Sequence, residues 1–152
     1  MWKNRKNKGE YKVIDHTADC MLKIHSNSLE GLFMTAGEAL TAQIADTAKV
    51  ERTGKRSIII EQKRISEGLH YFLREILYNF EIEKMLFSCF EIPDFQWSQG
   101  DKTIISMRID CFGEEWDEYR HGICNEIKAV TRHEFTVQKK GARWEAQILL
   151  DL

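Results

Sequence analysis

The segment Asp15-His16-Thr17-Ala18-Asp19 sets two carboxylates four positions apart around an imidazole and a hydroxyl. Carboxylate oxygens are hard donors suited to calcium, magnesium or manganese. A second candidate lies at the far end, where Asp151 interrupts the run Ile148-Leu149-Leu150-Asp151-Leu152. A carboxylate closing so apolar a run is unexpected unless it is paired or bound to a metal. Read together, the two features describe one divalent-cation site joining the two ends of the chain. Asp15, Asp19, Asp151 and an oxygen of Leu152 are its candidate donors. The spacing leaves other readings open. Residues four apart on an extended strand lie ~13 Å from each other, so the pentapeptide must fold back to share an ion. Asp and Thr in a connection serve equally well in Asx and ST turns, and a terminal Asp can simply be solvated. His16 beside the carboxylates can be a hydrogen-bonding support, a ligand or a proton carrier.

Other chemistry finds little support. Among His16, His25, His70, His121 and His133 there is no His-x-x-x-His or His-Glu-x-x-His pattern, so the zinc-hydrolase motif is missing. Gly-x-Ser-x-Gly and the glycine-rich phosphate loops are missing too. Cys20, Cys89, Cys111 and Cys124 form no Cys-x-x-Cys pair, which argues against a zinc knuckle and for reduced, core-filling thiols in a cytoplasmic protein. No apolar leader opens the sequence and no run approaches 18 apolar residues, so neither secretion nor a membrane span is expected.

The 152 residues suit one domain, and 43% apolar residues suffice for a core. Lys3, Arg5, Lys6 and Lys8 concentrate charge at the start. Residues 1–9 are expected to be a disordered basic arm, and 10–152 the folded domain. With four of the 22 basic residues in that arm against 24 acidic ones in all, the body is acidic. That disfavours a broad nucleic-acid surface while leaving room for a local one.

The elements that must position the candidates follow from periodicity. Residues 11–14 form a short strand. Cys20, Leu22 and Ile24 alternate with polar neighbours in a second. Asn27 and Glu30 resemble a capping box opening a helix to about residue 43. A loop over 46–56 leads to a buried strand at 57–61. A helix over about 66–80 carries Leu69, Phe72, Leu73, Ile76, Leu77 and Phe80 at helical spacing, with His70 on its apolar side as a packing residue. Strands follow at 86–96, 103–112, 127–138 and 143–152. On the 127–138 strand His133 shares a face with Phe135, and Lys128 reads as an ordinary exposed lysine. On the last strand Asp151 falls on the face opposite Trp144, Ala146, Ile148 and Leu150. The class is α+β: a mainly antiparallel sheet with two inserted helices in a single domain.

At these residues the chain resembles the archease family from about Tyr11 to Leu152. The markers are Asp15-His16-Thr17-Ala18-Asp19, Ser28-Leu29-Glu30 with Leu32-Phe33, Glu126-Ile127-Lys128-Ala129-Val130-Thr131, and Leu149-Leu150-Asp151-Leu152. The resemblance implies a small acidic metal-binding protein that is not itself an enzyme. It implies an activator of the GTP-dependent RNA ligase of tRNA splicing and RNA repair, promoting the ligase's guanylylation and multiple turnover. RNA would then be met only indirectly. Asp19 and Asp151 match the family's cation ligands, for calcium above all, with an oxygen of Leu152 in the shell. Asp15 matches an acidic position that supports the shell or joins it, and Lys128 a basic position facing the ligase or its phosphates. Such a site would present or withdraw a cation at the mouth of the ligase active site. Two departures stand out: Arg132 where an aromatic residue is common, and Ser66-Glu67-Gly68-Leu69-His70 where the second helix usually opens on Leu-Leu. Two other functions compete: a divalent-metal-dependent phosphoester hydrolase using His16 as acid/base, and an RNA-binding module using the basic arm.

Overall fold

A computed structural model describes residues 3–5, 9–15, 17–98 and 104–152. Strands β1 (Lys3–Arg5), β2 (Gly9–Asp15) and β3 (Asp19–Ser26) open the chain, followed by helix α1 (Leu29–Ile44). Next come β4 (Gly54–Gln62), helix α2 (Ile65–Glu83), β5 (Met85–Ser98) and β6 (Ile104–Glu115). The short helix α3 (Glu118–His121) precedes β7 (Ala129–Val130), β8 (Thr136–Lys140) and β9 (Arg143–Asp151). All described strand pairs are antiparallel, in a six-stranded sheet and a three-stranded one. The α+β expectation holds. Of the basic stretch 1–9, Lys3–Arg5 pair with Gly9–Tyr11; the rest of the expected arm before Gly9 lies outside the described residues.

The larger sheet runs β1-β2-β3-β9-β7, with β8 on the same side of β9 as β7 but at the other end. The smaller runs β4-β6-β5. Helix α1 touches β2, β3 and β9 of the first sheet and β5 of the second, and is buried nearly all round. Helix α2 packs on β4, β5 and β6 and reaches across to β7 and β8. Phe33, Phe72, Phe87 and Phe90 fill the space between them, with Phe72 and Phe90 edge-to-face at 5.6 Å. Cys20, Cys89 and Cys111 are buried as small core residues, Cys124 is exposed, and all four are free thiols. Among the described residues no helix is long and apolar enough to cross a membrane.

Two local features differ from the sequence expectations, and one departure from the family pattern gains a reason. Helix α1 is capped by Ser28, whose hydroxyl accepts the Gly31 N–H at 3.0 Å, and not by Asn27. Gly68 near the start of α2 sits where a Cβ would meet Ile60 Cγ2 at 3.2 Å and Ile105 Cγ2 at 3.4 Å. Its lack of a side chain is thus what lets the helix approach β4 and β6. The expected single strand 127–138 is two strands, β7 and β8, separated by a turn in which Glu134 is left-handed (φ 55°).

Candidate metal centre

The pentapeptide does fold back. β2 and β3 form a hairpin whose last pair is Asp15 with Cys20, and Asp19 lies just beyond it. On its other side β3 pairs with β9, and there Asp19 stands directly opposite Asp151. Apolar matching fixes this register: Cys20, Leu22 and Ile24 meet Leu150, Ile148 and Ala146 on the buried face. The acidic partners therefore fall together on the outer face.

The pair is of the close kind. The Leu152 N–H donates to Ala18 O at 3.1 Å, so the ladder bonds flank the Asp19–Asp151 pair instead of joining it. Opposed residues of that kind have Cα atoms about 4.5 Å apart and side chains nearer than in bonded pairs. Asp19 is half-buried and Asp151 exposed. Like charges directly opposed on a sheet are unfavourable, and a hard divalent cation between two carboxylates reverses that sign. The donor chemistry fits such an ion, with main-chain oxygens of Leu152 next in line. No third His, Cys, Asp or Glu joins the pair into a cluster among the described residues, and His16 is outside them. An ion held here would have to complete its shell from main chain, water or a partner.

The other candidates are distributed around this pair. Asp15 shares the face of its partner Cys20 and acts on that thiol. Burial first, then the Asp15 charge and hydrogen bond, and lastly Asp19 push the Cys20 thiol up to about 11. Asp15 therefore lies on the face of the sheet opposite the Asp19–Asp151 pair. The Lys128 N–H donates to Asp151 O at 2.8 Å, which locks β9 from the side away from Asp19. Lys128 also lines a cleft of about 650 Å³ with Phe80, Trp116, Ile123 and Ile127. His133 is not on a strand face with Phe135; it is exposed in the turn 132–134, where Thr131 Oγ1 donates to its carbonyl. No contact among the described residues carries it to Asp19 or Asp151.

Sequence reasoning missed what holds β7, and with it Lys128, in place. The buried His70 of α2 bonds Val130 O through Nε2 at 3.0 Å and meets Phe135 edge-on at 5.2 Å. Beside it Arg132 donates to both carboxylate oxygens of Glu67 at 3.0 Å. The two departures from the family pattern are therefore partners. The signal for His70 was its place on the apolar stripe; its partner, 60 residues away, had none. Burial holds the His70 imidazole below its usual range, helped by Arg132 and Arg74 and opposed by the Val130 bond and Glu67. The folded state thus prefers neutral His70, so the unfolded chain binds more protons below pH ~6.5. The stability tied to His70 should be whole above that pH and shrink as pH falls through it. In urea melts from pH 7.5 to 5, His70→Gln should flatten the acid side of the profile; an unchanged slope would contradict this.

Comparison with known proteins identifies the family. The model of the Archease protein family (MTH1598/TM1083) matches residues 11–152. The chain belongs to the archease family. The protein archease of Methanopyrus kandleri is 35% identical over 142 residues, covering 93% of this chain and 99% of that one. The protein archease of Methanosarcina mazei is 28% identical over 94% of this chain and 96% of its own. The solution structure of Methanobacterium thermoautotrophicum protein 1598 superimposes with a TM-score of 0.76 at 26% identity, covering 95% and 99% of the two chains. A Thermotoga maritima crystal structure, described as an archease and possible chaperone, gives 0.56 at 16% identity over 93% and 96%, and speaks for the fold alone. The archease match takes in both the carboxylate hairpin and the strand that ends at Asp151.

Proposed function

We propose that the chain is a metal-binding activator, not itself an enzyme, of the GTP-dependent RNA ligase of tRNA splicing and RNA repair. In this reading it promotes the ligase's guanylylation and its multiple turnover, in the cytoplasm. The observation that carries the reading is the close pairing of Asp19 with Asp151 at the ends of the two central strands, β3 and β9, of the larger sheet. Calcium is the expected ion, with magnesium or manganese sharing the same oxygen chemistry.

When bound, the ion supplies concentrated positive charge to phosphate or carboxylate oxygens of the ligase. Asp19 and Asp151 hold it from one side only, so the open side can be completed by the partner. Asp15, beside the Cys20 thiol, adds negative charge behind the pair. Lys128 is locked to Asp151 through the main chain and lies at the rim of the adjoining cleft, where it brings a positive charge.

Radiolabelled GTP and a candidate ligase test this directly. Trace wild-type protein should drive several rounds of guanylylation and sealing per molecule, and Asp19→Asn should drive none while keeping its fold. Equal stimulation by wild type and Asp19→Asn would remove the metal from the account. Phosphoester turnover by the chain alone with manganese would replace the activator by a hydrolase.

A further inference from the structure

The two sheets guard their edges unequally. The larger carries short strands there, with β1 of three residues and β7 of two. On the smaller sheet, β5 holds Pro93 and a register shift between Glu91 and Asp94. Short strands, proline and bulges all discourage a foreign strand from adding on. The other edge strand, β4, has none of them. It runs nine residues in unbroken register with β6, from Gly54 opposite Gly113 to Gln62 opposite Ile105. Among the described residues it pairs with β6 alone, and no backbone bond from outside the sheet reaches it. Ile58, Ile59 and Ile60 stand at its centre. Ile58 and Ile60 are buried in the core, whereas Ile59 is 58% exposed on the outer face.

We propose that β4 pairs antiparallel with β4 of a second copy, about a two-fold axis through Ile58, joining the two smaller sheets into one continuous sheet. The charges select this occupant. The outer face of β4 carries Lys55 near its start and Glu61 near its end, each exposed and three positions from Ile58. An antiparallel pair centred on Ile58 engages all nine residues. It sets Lys55 opposite Glu61 of the second copy, twice over, and opposite charges so placed favour pairing. Ile58 then meets Ile58, and each exposed Ile59 meets a Ser57. A parallel pair in register would set Lys55 on Lys55 and Glu61 on Glu61. A slip of two residues would part Lys55 from Glu61, and a slip of one would turn the buried faces to opposite sides. A two-fold interface needs such a self-complementary patch. Lys55 also reaches Asp110 at 3.5 Å, across the same face. One strand pair is a small interface, so the dimer should be weak and concentration-dependent. The inference goes beyond ligase activation and uses neither Asp19 nor Asp151, which lie on the other sheet.

The test is sedimentation velocity in EDTA, which removes any bridging cation, over about 1 to 200 μM protein. Wild type should pass from monomer to dimer across that range. Glu61→Lys and Lys55→Glu should each weaken the dimer at least about tenfold, because both cross-strand pairs turn repulsive. An equimolar mixture of the two variants should dimerise like wild type, since every opposed pair is then Lys with Glu. Circular dichroism melts of the dilute monomers check that each variant folds. Should Lys55→Glu fail to fold beside Asp110, Glu61→Gln takes its place: it removes attraction without adding repulsion, so its dimer must fall between wild type and Glu61→Lys. A wild type that stays monomeric at the top of the range would overturn the proposal. So would a dimer indifferent to Glu61→Lys, or two folded variants that form no mixed dimer. A monomer that takes up a strand only from added ligase would overturn it too, giving the edge to a partner protein. If the ligase proves unresponsive to wild type, activation fails and sedimentation still decides this inference.

Discussion

Asp151→Asn should melt at a higher temperature than wild type in EDTA and gain nothing from calcium. Both halves follow from one geometry. Asp19 and Asp151 oppose each other in a close pair with no ladder bonds between them. Without an ion, opposed like charges destabilise a sheet by about 0.2–1 kcal/mol, and neutralising one side chain recovers that. With an ion at a hundredfold excess over its Kd, binding stabilises the folded state by about 2.7 kcal/mol. For a chain of this size that is a rise of roughly 5–10 °C. The variant should lose it, together with ligase stimulation, and Asp19→Asn should behave alike. Asp15→Asn should keep most of the calcium response, because its carboxylate lies on the opposite face, beside Cys20. Calorimetric melts with and without calcium check all three. Variants that melt lower than wild type in EDTA would mean that the carboxylates hold the strands by hydrogen bonding instead.

The second large effect belongs to the scaffold. Gly113→Ala should destabilise the chain by several kcal/mol, on the order of three or more. Gly113 lies on β6, paired with both Gly54 and Phe87, where the β5–β6 register shifts between Phe87 and Cys89. A Cβ there would fall on the main-chain oxygen of Leu86 and press on its carbonyl carbon and on Phe87 Cα at 2.8 Å. Backbone in a paired strand cannot swing aside as a side-chain tip can. Gly54→Ala is the control, since its nearest contacts, Gly113 O and the mobile Met85 Cε, are both at 3.2 Å. Urea denaturation should rank the two clearly; equal midpoints would mean that β5 and β6 separate at little cost.

Much of this was legible in the sequence, and the failures have identifiable physics. Period-two alternation put Asp151 on the outer face before any pairing was known, because one buried face dictates the other. It could not supply the partner, since register between strands 130 residues apart is set by apolar matching in space. The helix running to about residue 43 was clear, but its cap was placed at Asn27, and the turn geometry selects the neighbouring Ser28 hydroxyl instead. The stretch 127–138 misled because its odd positions look like one continuous stripe. In the structure Val130 is the buried residue of β7, whereas Val137 packs against the core from β8. The turn between them shifts the phase by one residue, and that shift takes His133 off the face it shared with Phe135 on paper. Lys128 gave no local sign that its main chain holds Asp151 at the border of a cleft. Gly68, part of the departure at the start of its helix, stands where a side chain would press on Ile60 and Ile105 of the sheet.

The central claim is that one divalent cation is gripped by two side chains from opposite ends of the chain. Isothermal titration with calcium, on wild type, Asp19→Asn and Asp151→Asn, addresses it most directly. The account predicts one ion per wild-type molecule and at least about a hundredfold weaker binding in each variant, the loss of one of two anionic donors. Undiminished binding by either variant, or none by wild type at millimolar calcium, would contradict it.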